Sequence, residues 1–310
     1  MRAVVTGGAG FIGSHVVDAL LARGHDVHVL DDLSSGKNVV DGARLHERDI
    51  REAAAAVFDE ARPDVCFHLA AQIDVRVSVE RPDVDADVNV VGTLRVLEAS
   101  RAHGTKIVFS STGGAIYGEC DAPADEEHPR RPLAPYGVAK LAAEEYLAAY
   151  NRLYGSGHVS LRYGNVYGPR QDPHGEAGVV AIFMDALREG RAPRIFGDGT
   201  QTRDYVFVAD VVDATLAAAA HGGGVFNVGT GVETSVRELY DRVQRIAGAE
   251  REPEMTDPRP GELQRSVLDP SRAERELGWR ARRSLDDGLA ETWAWISGTG
   301  PRDSPSDMSH

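Results

Sequence analysis

The first strand and the turn behind it constrain this chain most. Arg2 to Thr6 is an apolar strand that runs straight into Gly7-Gly8-Ala9-Gly10-Phe11-Ile12-Gly13. Beyond it, Phe11, Ile12, Val16, Val17, Leu20 and Leu21 recur at helical spacing. Strand, glycine turn and amphipathic helix in this order let backbone approach a pyrophosphate. The helix N-terminus adds unpaired N–H groups and a positive dipole end. A second strand, Asp26 to Leu30, ends in Asp31, 18 residues after Gly13. A carboxylate there accepts hydrogen bonds from an adenosine ribose and repels a 2′-phosphate, which selects NAD over NADP. Gly7, Gly10, Phe11, Ile12, Gly13 and Asp31 are therefore the first candidate cofactor residues.

A fold built on this unit needs length, and 310 residues suffice for one large α/β domain or two unequal lobes. No apolar run approaches a membrane span, and the chain opens on strand and glycine turn instead of a signal peptide. Cys66 and Cys120 are too few for a disulfide framework, so a reduced cytoplasm is expected. A net charge of -14 argues against nucleic acid or an anionic membrane as partner. An anionic small ligand must then be met by local arginines.

The loop Asp32-Leu33-Ser34-Ser35-Gly36-Lys37 lies near the adenosine end, which makes Asp32, Ser35 and Gly36 candidates beside Asp31. A short strand near Leu45 leads to Asp49-Ile50 and a helix from Arg51 to Glu60; Asp49 is placed to cap that helix, to reach the adenine, or both. Asp64 to Leu69 reads as a buried parallel strand ending in Ala70-Ala71-Gln72, small residues where open α/β sheets bind ligands. His68 inside it reads as a satisfied core histidine. A long helix is expected over Val84 to His103, with Asn89 interrupting an apolar face and so needing partners. The strand Lys106 to Ser110 runs into Ser111-Thr112-Gly113-Gly114. The loop Glu119 to Pro135 is too long for a plain connection and is expected to border a site.

Tyr136 and Lys140 then share a helix face, four residues apart. A nearby ammonium favours tyrosinate, which lowers a tyrosine toward the range of a general base. After a strand at Val159 to Tyr163 the alternation loosens. Helices are expected at Ala177–Glu189, Val208–Ala220, Ser235–Ala247, Pro270–Leu277 and Leu285–Ile296, with a short strand at Ser266 to Leu268. Ser297 to His310 is almost without apolar residues and reads as a disordered tail.

Together these pieces resemble the extended short-chain dehydrogenase/reductases, and within them the nucleotide-sugar 4-epimerases of the UDP-glucose 4-epimerase type. The resemblance rests on Thr6 to Ser14, Asp31, Asp49-Ile50, His68-Leu69-Ala70-Ala71-Gln72, Asn89, Ser110-Ser111-Thr112, Tyr136-x-x-x-Lys140, Arg162-Tyr163-Gly164-Asn165, Arg203-Asp204-Tyr205-Val206 and Arg259-Pro260-Gly261-Glu262. It implies NAD recycled within each turnover, with Leu69, Ala70, Ala71, Gln72, Asn89, Ser110 and Tyr163 added to the cofactor residues. It implies Thr112 as catalytic hydroxyl, Tyr136 as base and Lys140 on the nicotinamide ribose. Asn165, Arg203 and Arg259 hold the sugar diphosphate, a task suited to the guanidinium fork. The extra glycine in Gly113-Gly114-Ala115-Ile116-Tyr117 departs from the pattern and keeps Ser111 in reserve for the hydroxyl role. Ser266 falls where related epimerases limit the space around the sugar C2 substituent, and its small side chain implies that N-acetyl sugars are accepted. No metal is expected.

The expected fold is α/β: a Rossmann-type doubly wound parallel sheet over residues 1–163, whose helices interleave with a smaller α/β lobe. That lobe, 164–296, mainly binds the nucleotide-sugar. The expected reaction is 4-epimerisation of a UDP-sugar through a 4-keto intermediate. A dTDP-sugar 4,6-dehydratase is the nearest rival. Related dehydratases carry Asp-Glu after the catalytic Thr, where Gly113-Gly114 stand here. A non-catalytic NAD-binding regulator would not need Thr112, Tyr136 and Lys140. The family usually dimerises, and Leu94, Val96, Leu97, Leu141, Tyr146, Leu147 and Tyr150 on two helices suggest the homodimer surface.

Overall fold

The computed structural model describes residues 1–173, 178–258 and 262–299. Chain order runs β1 (Arg2–Thr6), α1 (Phe11–Leu21), β2 (Asp26–Asp31), β3 (Arg44–Glu47), α2 (Ile50–Ala61), β4 (Val65–His68) and α3 (Val75–Glu80). Then come α4 (Pro82–Ala86), a π-helical turn (Asp87–Val91), α5 (Gly92–His103), β5 (Lys106–Thr112), α6 (Gly113–Ile116), α7 (Pro135–Tyr154) and β6 (Val159–Tyr163). The remainder is β7 (Asn165–Tyr167), α8 (Val179–Arg188), β8 (Arg194–Phe196), β9 (Thr202–Phe207), α9 (Val208–Ala219), β10 (Gly224–Val228) and β11 (Glu233–Ser235). It closes with α10 (Val236–Ala247), β12 (Glu254–Thr256), β13 (Arg265–Ser266), α11 (Ser271–Leu277) and α12 (Leu285–Ile296).

Seven parallel strands form the main sheet in the order β10-β6-β5-β4-β1-β2-β3. The order reverses between β1 and β4, and a ligand crevice opens at the carboxyl ends there. Both faces are buried, so the strands read as unbroken apolar runs. Along β1, Ala3 and Val5 join Val16, Val17 and Leu20 of α1 on one side. Val4 joins Val57 and Phe58 of α2 and Leu147 of α7 on the other. A third core under α8, α10 and α12 gathers Phe183, Leu239, Tyr240 and Leu289. A small sheet of β9 with β7, β11 and β13 stands beside it.

The doubly wound expectation is met. The helices over 51–60, 208–220, 235–247, 270–277 and 285–296 form within two residues of the expected bounds. The helix expected from Ala177 begins at Val179, and Ala177 lies outside the described residues. Four differences stand out. The main sheet takes its edge strand β10, with Phe226 and Val228 fully buried, from well beyond residue 163. Its register Gly224↔Val159 gives it β6 as neighbour, an attraction that local pattern cannot show. The long helix runs from Pro82 and contains the π turn, which re-aims Asn89. Two short helices, α3 and α6, were not expected. Among the residues expected at a dimer surface, Val96, Leu97 and Leu147 lie in the sheet-packed core instead.

One ion pair is buried in the middle of the molecule. Arg162 on β6 donates to both oxygens of Glu144 on α7 (3.0, 3.1 and 2.6 Å) and to the Tyr117 hydroxyl (2.8 Å). Tyr117 donates onward to Asn227 of β10 at 2.7 Å. Removing one member strands a buried charge, whereas removing both does not. Arg162→Met is expected to cost about 3–5 kcal/mol in urea unfolding, and adding Glu144→Leu to recover most of it.

Candidate active site

The cofactor half is built around Gly7. Its φ of 69° is left-handed, and a Cβ there would stand 2.6 Å from the Ala70 nitrogen. The turn after β1 thus lies directly on Leu69-Ala70. The Thr6 hydroxyl bonds His68 Nδ1 (2.6 Å) and accepts from Ala70 N–H (3.2 Å). His68 is the satisfied core histidine expected: its Nε2 meets Thr93 at 3.0 Å, and burial holds it down to about 3.

Asp31 ends β2 and accepts from Ala9 N–H and Leu33 N–H, each at 2.9 Å. Burial raises its pKa, and the two N–H bonds oppose that. Asp32 holds Ser34 through its backbone N–H and hydroxyl (3.0 and 2.6 Å). Gly36 folds back onto Ala9, with Asn38 N–H donating to the Ala9 carbonyl at 2.9 Å. The loop carrying Asp32, Ser35 and Gly36 therefore meets the glycine turn. Arg48 N–H bonds the Asp31 carbonyl, which brings Asp49 and Ile50 alongside.

Several side chains expected at the cofactor are spent on the protein itself. Asp49 caps α2 through Arg51 N–H (2.7 Å), and the Arg51 guanidinium occupies both its oxygens and lowers its pKa. Ile50 is core. Asn89 accepts from Gln72 N–H and donates to the Gln72 carbonyl, both at 2.9 Å, and donates to Asp85 at 3.0 Å. Both its amide protons are used, so it positions the Ala71-Gln72 backbone. The Tyr163 ring is core, and its hydroxyl pairs with Thr215 at 2.8 Å.

Tyr136 sits near the start of α7, half-buried, and its hydroxyl makes no hydrogen bond among the described residues. Lys140, one turn on, is buried. Its Nζ donates to the Ser110 carbonyl (2.9 Å) and lies 4.8 Å from the Phe109 ring centre and 5.9 Å from that of Tyr136. Burial lowers Lys140 to about 8, against the raising influence of Asp85 and Glu144. The expected acidification of Tyr136 is overturned: burial first, then the Asp85 carboxylate, push its pKa above the ordinary phenol value.

Strand alternation separates the two hydroxyls ahead of the glycine pair. Ser111 points inward and donates to Glu144 at 2.5 Å, in the network with Arg162. Thr112 faces the cleft. A Cβ built on Gly114 would have Asn165 Oδ1 at 3.8 Å, Thr112 Oγ1 at 3.9 Å and Ser266 Oγ at 4.0 Å. Three residues from distant parts of the chain thus surround one glycine. Ser266 pairs in register with Arg203, whose guanidinium lies 3.5 Å from Glu262 and donates to the Thr202 carbonyl. Arg259 lies outside the described residues. The long loop borders this region as expected: Glu119 accepts from Gln264 and Arg265 N–H (2.9 and 2.7 Å), and Ala124 bridges to Leu268.

Sequence reasoning missed Glu144 and Asp85, and it named Gly114 and Asp204 without giving either a place in the site. Glu144 was findable, since 136, 140 and 144 share one helix face. Asp204 accepts from Thr230 N–H and hydroxyl and from Gly231 N–H, which only the fold brings to it.

A dinucleotide cradle at a sheet switch point, with a tyrosine–lysine pair at its mouth, defines a nicotinamide-dependent α/β enzyme. The model of the NAD dependent epimerase/dehydratase family matches residues 3–229, and the chain belongs to that family. It is 52% identical over 304 residues to the UDP-glucose 4-epimerase of Mycolicibacterium smegmatis, covering 94% of this chain and 97% of that protein. The UDP-glucose 4-epimerase of Thermotoga maritima, solved with UDP-glucose, superposes with a TM-score of 0.94 at 47% identity, covering 96% and 99% of the two chains. That of Thermus thermophilus, solved with NAD, gives 0.91 at 48% identity, covering 97% and 100%.

Proposed function

We propose that this chain is an NAD-dependent UDP-sugar 4-epimerase acting on UDP-glucose and UDP-galactose. The observation that carries the reading is the convergence of Thr112, Asn165 and Ser266 on Gly114. It gathers three polar side chains at one point, and the free hydroxyl of Tyr136 stands on the helix that follows this turn and the long loop. The cradle fits NAD: backbone closes on Gly7 too tightly for a side chain, and the Asp31 carboxylate is held ready by two N–H groups. The residues around Gly7 and Asp31 would hold NAD, which would supply reversible hydride transfer at the sugar C4.

In its tyrosinate form Tyr136 accepts the proton of the 4-hydroxyl, and as the phenol it returns that proton to the inverted alcohol. Thr112 hydrogen-bonds the same oxygen. Lys140 supplies the positive charge beside them. Asn165, Arg203 and Arg259 hold the diphosphate, so the keto sugar turns over without escaping. Gly113 and Gly114 cannot carry a proton, so the acid–base pair that related dehydratases place at these two positions for elimination is missing there.

The test is conversion of UDP-galactose to UDP-glucose by the purified protein without added NAD; no conversion, with NAD present in the protein, defeats the reading. Tyr136→Phe is expected to lose at least ~10²-fold in kcat and to keep its NAD. Ser266, buried and small, leaves room at C2, so the N-acetyl pair of sugars should also turn over, with a modest preference of ~1–3 kcal/mol at most. Ser266→Tyr should abolish kcat/KM for the N-acetyl pair alone. The helices Pro82–His103 and α7 expose Val91, Tyr146, Leu153 and Tyr154, and are read as the face of a homodimer. Light scattering should give twice the chain mass.

A further inference from the structure

A buried carboxylate with an unpartnered oxygen lies on a helix packed against the one that carries Tyr136 and Lys140. Asp85, on α4, is only 1% exposed. Its Oδ1 accepts from Gln72 Nε2 and Asn89 Nδ2, both at 3.0 Å. Its Oδ2 is buried and has no hydrogen-bond partner among the described residues. A carboxylate oxygen taken from water without a donor is costly unless a cation offsets it. The π turn directly after α4 turns Asn89 toward Asp85 and Gln72, and such turns gather at functional sites. Helices α3 and α4 and the π turn pack against α7, which carries Tyr136 and Lys140.

The charged and titratable groups around Lys140 can be taken one element at a time. On α7 itself Glu144 is committed to Arg162 and Ser111. From β4 comes His68, bonded to Thr6 and Thr93 and kept neutral by burial. β5 offers the Ser110 carbonyl and the Phe109 ring. α4 offers Asp85. Of the groups just named around Lys140, Asp85 is the carboxylate that is not paired with another cation.

We propose that Asp85 is the counter-ion of Lys140, a positioning residue that acts through Lys140 and Tyr136 and sets the pH range in which the pair works. Burial drives an ammonium toward its neutral form, and Asp85 opposes this. The same negative charge makes tyrosinate harder to form. Removing it moves both groups the same way. Lys140 gives up its proton at lower pH, and so does Tyr136. The whole bell of activity against pH should slide toward acid.

This rests on the epimerase reading, and the two fail differently: no conversion of UDP-galactose by the NAD-containing wild type defeats that reading, whereas an active wild type whose pH profile Asp85→Asn leaves in place defeats this one. The test is the pH profile of kcat and kcat/KM for UDP-galactose conversion by the NAD-containing protein. Asp85→Asn keeps an acceptor for Gln72 and Asn89 while removing the charge. Both limbs should move down by about one pH unit or more, as expected for the loss of a close opposite charge. Asp85→Glu should restore the wild-type position. An Asp85→Asn profile superimposed on wild type overturns the proposal, as does Asp85→Glu behaving like Asp85→Asn. Should Asp85→Asn not fold, Asp85→Ser against Asp85→Glu decides in the same way: serine displaced and glutamate in place supports the counter-ion, coincident profiles refute it.

Discussion

A space smaller than a methyl group, between Gly7 and the Leu69-Ala70 backbone, sets the geometry of the cofactor half. β1 and β4 are neighbours in the sheet, with Thr6 opposite His68. At their carboxyl ends the two chains must part, and the crevice between them is the place where a ligand can enter. Thr6 holds them at the point of parting by serving His68 and Ala70 with one hydroxyl. The backbone can then turn toward α1 only through a left-handed residue. Ala9, delivered by that turn, gives its N–H to Asp31 and so ties in β2. Three segments distant in sequence share one corner, and each fixes the next.

The substrate half depends on a different device. A strand puts successive side chains on opposite faces, so Ser111 and Thr112 cannot both face the cleft. Apolar packing alone would allow either choice after a one-residue slip. The Glu144–Arg162 pair removes that freedom, because its carboxylate takes the Ser111 hydroxyl as a further donor. Two buried charges bring little net stability, since the cost of desolvation offsets their attraction. Their gain here is register: Glu144 lies one turn beyond Lys140, so the contact that selects Thr112 also fixes α7. The hydroxyl facing the cleft and the helix of the base are thereby set by the same carboxylate.

Periodicity and punctuation made much of this visible before any coordinates. The glycine turn, Asp31 and the helices that carry a continuous apolar face were legible because they are local. So was the spacing of Tyr136 and Lys140. The strands β7 to β12 were not: β7, β8, β11 and β12 have three residues each, too few to hold a pattern, and the longer β9 and β10 are placed by their partners. β10 is the clearest case, since it owes its place to β6. Asn89 and Tyr163 were assigned to the cofactor from resemblance, and Asp49 was read as a cap, an adenine contact or both. In the structure Asn89 bonds the Gln72 backbone, Asp49 caps α2 and Tyr163 pairs with the Thr215 hydroxyl. The lowered Tyr136 pKa failed for a physical reason: spacing reports that an ammonium is near, and says nothing about burial or about Asp85.

The acidic character of the chain had made an anionic ligand look unwelcome, and the fold shows why it is not. Charges scattered over a surface act weakly beyond roughly 8 Å at physiological salt. A net charge of -14 spread over the molecule therefore hardly reaches a cleft. What counts there is one guanidinium in a partly dry place. The Arg203 side chain is 15% exposed and is held on a strand, with Ser266 beside it in register. Asp204, the next residue, is buried and clamps the Thr230-Gly231 turn, so the strand under Arg203 cannot shift. The ion pair with Glu262, at 3.5 Å, is long, and a long pair yields readily to a better anion. A fixed arginine with a long internal pair suits the anion-binding role proposed for Arg203, and that fit does not depend on the sign of the rest of the protein.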